Sequence, residues 1–313
     1  MPATGLGAIV TAARAAGHGA GAFNVIGIEH AEAIVAGAEE AAAPVVLQIS
    51  ENCVRYHGAL RPIGQAALAI AAAAAVPVAV HLDHATTGEL VSEAGRLGFG
   101  SVMFDASRLP YADNVRATAD VVRSCHKRGV WVEAELGEIG GKDGVHSPLA
   151  RTDPGEAARF VAATDVDALA VAVGSSHAMA TRDAVVDLGL IARLHEAVSV
   201  PLVLHGSSGV PDQDLAAAVR AGMTKINIAT QLNKVFTAAV RQALSAEPAG
   251  ADPRKYGAAG RDAIAVEVNR LLRLLWTGHT SHETLNGPAG VRAPAADTGA
   301  RTGGAGEPLS PVE

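Results

Sequence analysis

Three histidines, each following a short apolar run, could together bind a catalytic metal ion. His84, His177 and His205 follow the third, sixth and seventh of eight such runs along the chain. Three neutral imidazoles with an open fourth position form a typical catalytic zinc site. The spacing matches no local motif, so the three side chains form one site only if the fold brings these run ends together.

Polar or ionisable residues end all eight runs. Besides the histidines, they are Asn24, Ser50, Asp83, Asp105, Glu135 and Asn227. One such residue alone is more often a helix cap than a catalyst, but a set that converges at one rim predicts an active site. Adjacent strand residues point to opposite faces, so Asp83 and His84 can both face the site only if the strand ends there and the backbone turns.

The loops after the last two runs favour a phosphate ligand. One contains Gly206, Ser208 and Gly209, and the other leads from Asn227 to Thr230 at the start of a helical stretch. Glycines let backbone N–H groups approach an oxyanion, and a helix N-terminus adds a favourable dipole. A plain turn followed by a helix cap is the alternative, and we favour phosphate.

The predicted secondary structure follows a repeating pattern of strand and helix. Strand-like runs cover 21–25, 44–49, 76–82, 101–104, 130–136, 168–173, 201–204 and 223–228. Amphipathic helical stretches between and after them include 29–42, 88–97, 114–127, 154–163, 213–221, 231–245 and 253–276. The pattern predicts an α/β fold, a (β/α)8 TIM barrel with extra C-terminal helices, whose active site lies at the C-terminal strand ends. A doubly wound sheet is the alternative.

Composition limits the domain organisation and the partners. Hydrophobic residues make up 49% of the 313 residues, which is enough for one large core spanning 1–278. Residues 279–313 are rich in Gly, Ala, Pro and Thr without apolar periodicity, so we expect a disordered tail. The formal charge of −7 argues against nucleic acid and anionic membranes as partners.

The two cysteines indicate a reducing compartment. Cys53 and Cys125 lie far apart, and neither belongs to a CxxC motif. No basic segment followed by an apolar stretch opens the chain, so we expect no signal peptide and a cytoplasmic location.

Six segments resemble one enzyme family in order along residues 5–275. They are 22–25 (AFNV), 80–85 (VHLDHA), 132–137 (VEAELG), 204–209 (LHGSSG), 225–230 (KINIAT) and 252–256 (DPRKY). These motifs are similar to those of the class II fructose-bisphosphate and tagatose-bisphosphate aldolases.

The resemblance implies a zinc-dependent lyase of the glycolytic type, with one zinc ion per subunit. A monovalent cation is a second candidate cofactor. The substrate would be a ketose 1,6-bisphosphate, fructose 1,6-bisphosphate first and tagatose 1,6-bisphosphate next. Reversible cleavage would give dihydroxyacetone phosphate and glyceraldehyde 3-phosphate. Another phosphoketose aldolase of the family is the nearest alternative.

The resemblance also implies residue roles. Asp83 would handle the C4 hydroxyl proton, and Asn227 would lie near the reacting carbons. Arg254 would reach a phosphate of a neighbouring subunit, which implies a homodimer or homotetramer. The remaining roles are zinc ligands (His84, His177, His205), carboxylates at an alternative metal position (Asp105, Glu135), substrate contacts (Asn24, Ser50) and the phosphate cradle (Ala178, Gly206, Ser208, Thr230).

Three positions depart from the family pattern. Ala178 stands where glycine is common, which would cost energy if that residue needs a positive φ. Ala229 resembles the tagatose-type branch. The loop 140–144 lacks the usual glutamate, so Asp143 is the candidate second acid/base. A turn role for Asp143 is equally open, and Glu138 or His146 would come next.

Two other functions are alternatives to a metal-dependent aldolase. A Schiff-base aldolase needs a lysine inside the barrel, and of five lysines only Lys225 lies on a predicted strand. A non-catalytic sugar-phosphate-binding barrel would need neither the base Asp83 nor the three histidines. We therefore favour the metal-dependent enzyme.

Overall fold

Eight parallel strands form a closed barrel in sequence order, so the predicted TIM barrel is confirmed. A computed structural model describes residues 4–136, 151–175 and 181–276 of the chain. The strands are β1 (Ala20–Asn24), β2 (Val45–Ser50), β3 (Val78–Ala85), β4 (Ser101–Phe104), β5 (Trp131–Glu135), β6 (Ala168–Ala170), β7 (Leu202–Leu204) and β8 (Met223–Ile228).

Helices follow the strands and cover the outside of the barrel. Those in the first half are α1 (Leu6–Ala16), α2 (Ile28–Ala41), α3 (Glu51–His57), α4 (Leu60–Ala73), α5 (Gly88–Leu97) and α6 (Tyr111–His126). Those in the second half are α7 (Pro154–Thr164), α8 (Leu188–Ala197), α9 (Asp212–Ala221), α10 (Thr230–Ala246) and α11 (Pro253–Leu275). The sequence patterns did not predict α1, α3 or α8, while α10 and α11 are the expected C-terminal helices.

Two strand boundaries differ from the sequence prediction. β3 continues to Ala85, although its apolar run stops at Leu82. β6 ends at Ala170, three residues before the end of its apolar run at Val173. An apolar run shows which residues are buried, not which residues pair with a neighbouring strand. Buried residues can therefore lie beyond the last ladder hydrogen bond of a strand, as after β6, and polar residues can lie within a strand, as in β3.

Helix α7 illustrates how local sequence begins an element. The side chain of Asp153 accepts a hydrogen bond from the backbone N–H of Glu156 at 2.8 Å. Pro154 occupies the first turn, where its missing N–H costs nothing. Asp153 therefore caps the helix that leads into β6.

Helix α1 covers the N-terminal end of the barrel. Its residues Leu6, Ile9 and Val10 pack with Ala20 and Ala22 of β1 and with interior residues of β2 and β3. Small alanines inside the barrel leave room for this helix to approach. With that end covered, ligands reach the interior from the C-terminal strand ends.

Helices α2 and α11 pack closely because α2 carries a glycine at their contact. A Cβ atom built on Gly37 would lie 2.4 Å from the carbonyl oxygen of Ala265 and 2.8 Å from Cβ of Val268. Any larger residue would therefore push α11 away from α2.

Among the described residues, none of the helices combines the length and the apolar character that crossing a bilayer requires. The predicted tail 279–313 lies outside the described residues and stays a prediction.

We expect Gly37→Ala to destabilise the protein despite the better helix propensity of alanine. Overpacking against a backbone carbonyl costs about 1–3 kcal/mol. Gly257→Ala in α11 is the matched control, because a Cβ there meets nothing within 4 Å; it should stabilise by about 0.5–1 kcal/mol. Urea unfolding of both variants measures the difference, and equal stabilities would contradict the close α2–α11 packing.

Candidate active site

A backbone irregularity in β3 lets two adjacent residues face the barrel mouth. The pairing of β3 with β4 shifts register between Leu82 and Ala85, and His84 adopts a φ of 52°. This left-handed conformation is uncommon for a residue other than glycine. Asp83 and His84 thus both lie in the site. The strand continues to Ala85, so the backbone turns within the strand rather than at its end.

His84, Glu135 and His205 form a group that can hold a metal ion. One ligand atom from each residue lies within 4.8 Å of the others. The two imidazole rings are tilted against each other with centroids 4.7 Å apart. Two imidazoles and a carboxylate are all donors that zinc accepts, so the residues present fit the expected metal.

Carboxylates behind the two histidines determine which ring nitrogens can bind the metal. Nδ1 of His84 lies 2.9 Å from Oδ2 of Asp105, and Nε2 of His205 lies 3.1 Å from Oε1 of Glu133. Such outer contacts fix the tautomer and orientation of a metal-binding histidine. They make Nε2 of His84 and Nδ1 of His205 the candidate ligand atoms.

The two carboxylates expected at an alternative metal position therefore occupy different places. Glu135 belongs to the metal-binding group, and its Oε2 lies 3.2 Å from Nδ1 of His205. Asp105 contacts the back of His84 and also accepts hydrogen bonds from the hydroxyl and N–H groups of Ser107.

The electrostatics of the site favour a cation. Burial alone would lower the pKa of His205, but hydrogen bonds to Glu133 and Glu135 raise that pKa to about 10. Burial would raise the pKa of Asp105, yet the hydrogen bond from His84 holds it well below its usual range. The pocket thus attracts positive charge, and a metal ion would displace the protons that the histidines otherwise bind.

Amide side chains hold the carboxylate of Asp83, which is only 3% exposed. Nδ2 of Asn24 donates to Oδ2 of Asp83 at 3.0 Å, and Nδ2 of Asn227 donates to Oδ1 at 3.5 Å. Gln48 in turn donates to Oδ1 of Asn24 at 2.8 Å. Burial tends to raise the pKa of Asp83, but the neighbouring His84 and Lys225 hold it below its usual value. Asp83 is therefore an oriented carboxylate.

The loops after β7 and β8 meet at the start of α10, as the phosphate hypothesis requires. Gly206 has a φ of 66° and precedes a 3-10 turn, Ser207–Gly209. Oγ of Ser208 accepts a hydrogen bond from the N–H of Gln231 at 3.2 Å. Thr230 opens α10, and the hydroxyl of Ser207 donates to the carbonyl of Asn227. The glycine turn after β7 and the N-terminus of α10 after β8 are therefore adjacent, which is the arrangement that a phosphate site needs.

The structure does not test the roles of four predicted residues. His177, Ala178 and Asp143 are outside the described residues, so their roles stay predictions. Arg254 lies at the start of α11 with its side chain 90% exposed and paired to Asp252 at 2.9 Å. Its outward position leaves it accessible to another subunit.

The sequence analysis missed a second layer of polar residues inside the barrel. Glu133 and Lys225 are both fully buried, and Nζ of Lys225 lies 2.8 Å from Oε2 of Glu133. Each precedes a predicted site residue by two positions, as His81 and Gln48 also do. Alternate strand residues share a face, so the period of two was the available signal for this inner layer. In the sequence, Lys225 stands out only as a possible Schiff-base lysine.

Comparison with known proteins identifies the family. The family model for "Fructose-bisphosphate aldolase class-II" matches residues 5–279. The chain belongs to the class II fructose-bisphosphate aldolase family.

Individual relatives agree with this membership. A fructose-bisphosphate aldolase from Geobacillus stearothermophilus is 40% identical over 252 residues, which cover 79% of this chain and 88% of that protein. Another from Thermus caldophilus is 39% identical over 302 residues, 88% of this chain and 98% of that protein. The crystal structure of the YdjI aldolase from Escherichia coli K12 superposes with a TM-score of 0.77 at 30% identity, covering 90% and 100% of the two chains.

Family membership makes the protein a lyase that cleaves a carbon–carbon bond of a phosphorylated ketose with the help of a metal ion. The Schiff-base alternative is excluded on the same ground. Its required lysine, Lys225, is fully buried and engaged by Glu133 and Asn227.

We expect Asp105→Asn to weaken metal binding without unfolding the protein. Asparagine has only one oxygen, which the N–H and hydroxyl donors of Ser107 hold, so its NH₂ group would face Nδ1 of His84. Losing the acceptor that fixes the His84 ring typically costs about 10–100-fold in metal affinity. Competition with a chromophoric chelator measures the affinity. Asp113→Asn on the surface of α6 is the control and should bind metal normally. Unchanged affinity in Asp105→Asn would show that His84 needs no such support.

Proposed function

We propose that the protein is a zinc-dependent aldolase that reversibly cleaves fructose 1,6-bisphosphate, with tagatose 1,6-bisphosphate as the next candidate. The products are dihydroxyacetone phosphate and glyceraldehyde 3-phosphate. One observation carries the proposal: the oriented, buried carboxylate of Asp83 stands beside the metal-binding group of His84, Glu135 and His205. A base next to a Lewis acid is the minimum that retro-aldol cleavage requires.

Different residues of the chain are proposed to carry out different parts of the reaction. Zinc, when bound, supplies a Lewis acid that polarises the ketone oxygen. Asp83 takes the proton of the C4 hydroxyl as the bond between C3 and C4 breaks, and it returns that proton in the condensation direction. Asn24 and Asn227 hold Asp83 through hydrogen bonds to its two oxygens. His177 is proposed as the third histidine ligand on the family resemblance.

The dihydroxyacetone phosphate half is proposed to bind at the loops after β7 and β8. The turn at Gly206, the hydroxyl of Ser208 and the helix start at Thr230 support this placement. Ala178 is proposed to complete the cradle. Asp143 is proposed as the second acid/base, which exchanges the C3 proton of dihydroxyacetone phosphate.

The other half of the substrate is proposed to lie across the barrel mouth. In a closed barrel of eight strands, β3 and β4 stand opposite β7 and β8. A cavity of about 320 Å³ opens there between His84, Asp105 and Ser50. Arg108 also lines it, as does Arg55, which pairs with Glu51. Arginines suit a phosphate through paired N–H donors. The cavity therefore fits the phosphorylated aldehyde half.

Assembly and substrate are proposed on separate grounds. A homodimer or homotetramer would let the exposed Arg254 reach a neighbouring site. The names of the relatives favour fructose 1,6-bisphosphate, while Ala229 favours the tagatose isomer. The buried, unpaired thiols of Cys53 and Cys125 support a reducing compartment such as the cytoplasm.

We expect the zinc-loaded protein to release dihydroxyacetone phosphate from fructose 1,6-bisphosphate, measured by a coupled dehydrogenase assay. A chelator should abolish the activity, and added zinc should restore it. Asp83→Ala should lower kcat by about 10²–10⁴-fold because a positioned acid/base is lost.

The controls separate substrate choice from mechanism. Tagatose 1,6-bisphosphate and ketose monophosphates assayed in parallel rank the substrates. Zinc content and melting temperature of Asp83→Ala should stay close to those of the parent protein. Full activity without metal, or a mild effect of Asp83→Ala, would refute the proposed mechanism.

We also expect Arg108→Ala to weaken binding of phosphorylated aldehydes specifically. Losing a hydrogen bond to a charged group costs about 1.5–3 kcal/mol, or roughly 10–100-fold. Condensation of dihydroxyacetone phosphate with glyceraldehyde 3-phosphate should show a raised KM, while condensation with unphosphorylated glyceraldehyde should not. Arg96→Ala on α5 is the control for a lost surface charge. An equal loss with both aldehydes would assign Arg108 a structural role.

A further inference from the structure

Lys225 of β8 is a fully buried lysine at the centre of the barrel. Its Nζ donates to Oδ1 of Asn227 at 2.8 Å and lies 2.8 Å from Oε2 of Glu133 on β5. Lysine is almost never fully buried unless it is paired. Each of these two partners also contacts a residue of the active site.

The first contact orients the side chain that holds the base. An ammonium group has donors and no acceptor, so Asn227 must turn its oxygen towards Lys225. The NH₂ group of Asn227 then faces Oδ1 of Asp83 at 3.5 Å. A flipped Asn227 amide would place two donors against each other at Lys225 and two acceptors at Asp83.

The second contact orients a metal ligand. The Lys225 ammonium forms an ion pair with Oε2 of Glu133, and Oε1 of Glu133 lies 3.1 Å from Nε2 of His205. A carboxylate only accepts hydrogen bonds when ionised, so Nε2 of His205 carries the proton that points at Glu133. The Nδ1 atom of the same ring then serves as the metal-binding nitrogen.

We propose that Lys225 is a positioning residue that aligns Asp83 through Asn227 and His205 through Glu133. The proposal rests on the proposed aldolase function for its catalytic half, whereas its metal-binding half is independent of any substrate. One buried ammonium group thereby couples the proton-transfer residue to a metal ligand. The competing role is an ion pair that only stabilises the barrel.

Glu133→Gln distinguishes the two roles because glutamine has one acceptor and one donor group. Its oxygen must face the Lys225 ammonium, so its NH₂ group faces His205. Nε2 of His205 must then accept, and the proton moves to Nδ1, where it blocks metal binding. We expect zinc affinity to fall by about 10–100-fold, as for a lost outer-shell contact, in a chelator-competition assay.

The double variant Lys225→Met/Glu133→Gln should separate the two arms of the proposal. Without Lys225, the oxygen of the introduced glutamine side chain can face His205 again, so zinc affinity should recover to within a few-fold of the parent. Asn227 would lose its orienting partner, so kcat for condensation should stay at least about tenfold low with KM little changed. The double variant carries no unpaired buried charge, which favours its folding.

Ile226→Val is the matched control, since Ile226 follows Lys225 on β8, pairs in regular register with Leu204 and packs in the hydrophobic core. It should leave zinc affinity and kcat unchanged. Normal zinc affinity in folded Glu133→Gln would overturn the metal arm. A kcat of the double variant within about twofold of the parent would overturn the catalytic arm. Absence of turnover in the parent protein would refute the proposed function, while the zinc measurements would still decide the metal arm.

Discussion

The carboxylate of Glu133 is fully buried inside the barrel, and the arrangement of the site follows from the need to compensate its charge. A buried charge without a partner costs several kcal/mol even after relaxation. Burial would raise the pKa of Glu133, but Lys225 and His205 hold it well below its usual range. Lys225 lies on β8 and His205 directly follows β7, whereas Glu133 lies on β5. Only a closed barrel brings the three strands around one interior point, so fold and site chemistry depend on each other.

The site consists of two polar layers because strand residues two apart share a face. The inner layer contains the charged groups Glu133 and Lys225, and the outer layer contains Glu135 and Asn227 two residues further along the same strands. The inner groups are shielded from water, so their contacts are strong and their geometry is restricted. The outer groups face the mouth, where a ligand can reach them. His84 joins this outer layer only because its left-handed backbone conformation rotates it into the mouth.

The sequence predicted the barrel because each repeat carries its own signal of an apolar run followed by an amphipathic helix. The convergence of Asp83, His84 and His205 followed from the rule that active sites lie at C-terminal strand ends. The shift in register after Leu82 could not be predicted, since it depends on how β3 pairs with β4 rather than on local residue preference. The contact of Asp105 with the back of the His84 ring could not be predicted from the sequence either. A carboxylate at a strand end can bind the metal or the back of a ligand, and only distances distinguish the two.

Strands and loops contribute differently to such an enzyme, and the difference separates the family from the substrate. Asp83 and His205, the residues proposed for proton transfer and metal binding, are held at or just beyond the ends of β3 and β7 by hydrogen bonds to other side chains. Arg108 follows β4, Ala229 follows β8 and Arg254 begins α11, all outside the strands. Loop residues can vary without disturbing the barrel hydrogen bonds. The residues proposed for the reaction thus lie in strand motifs, whereas those proposed to choose the ketose lie in segments that can change independently of the barrel.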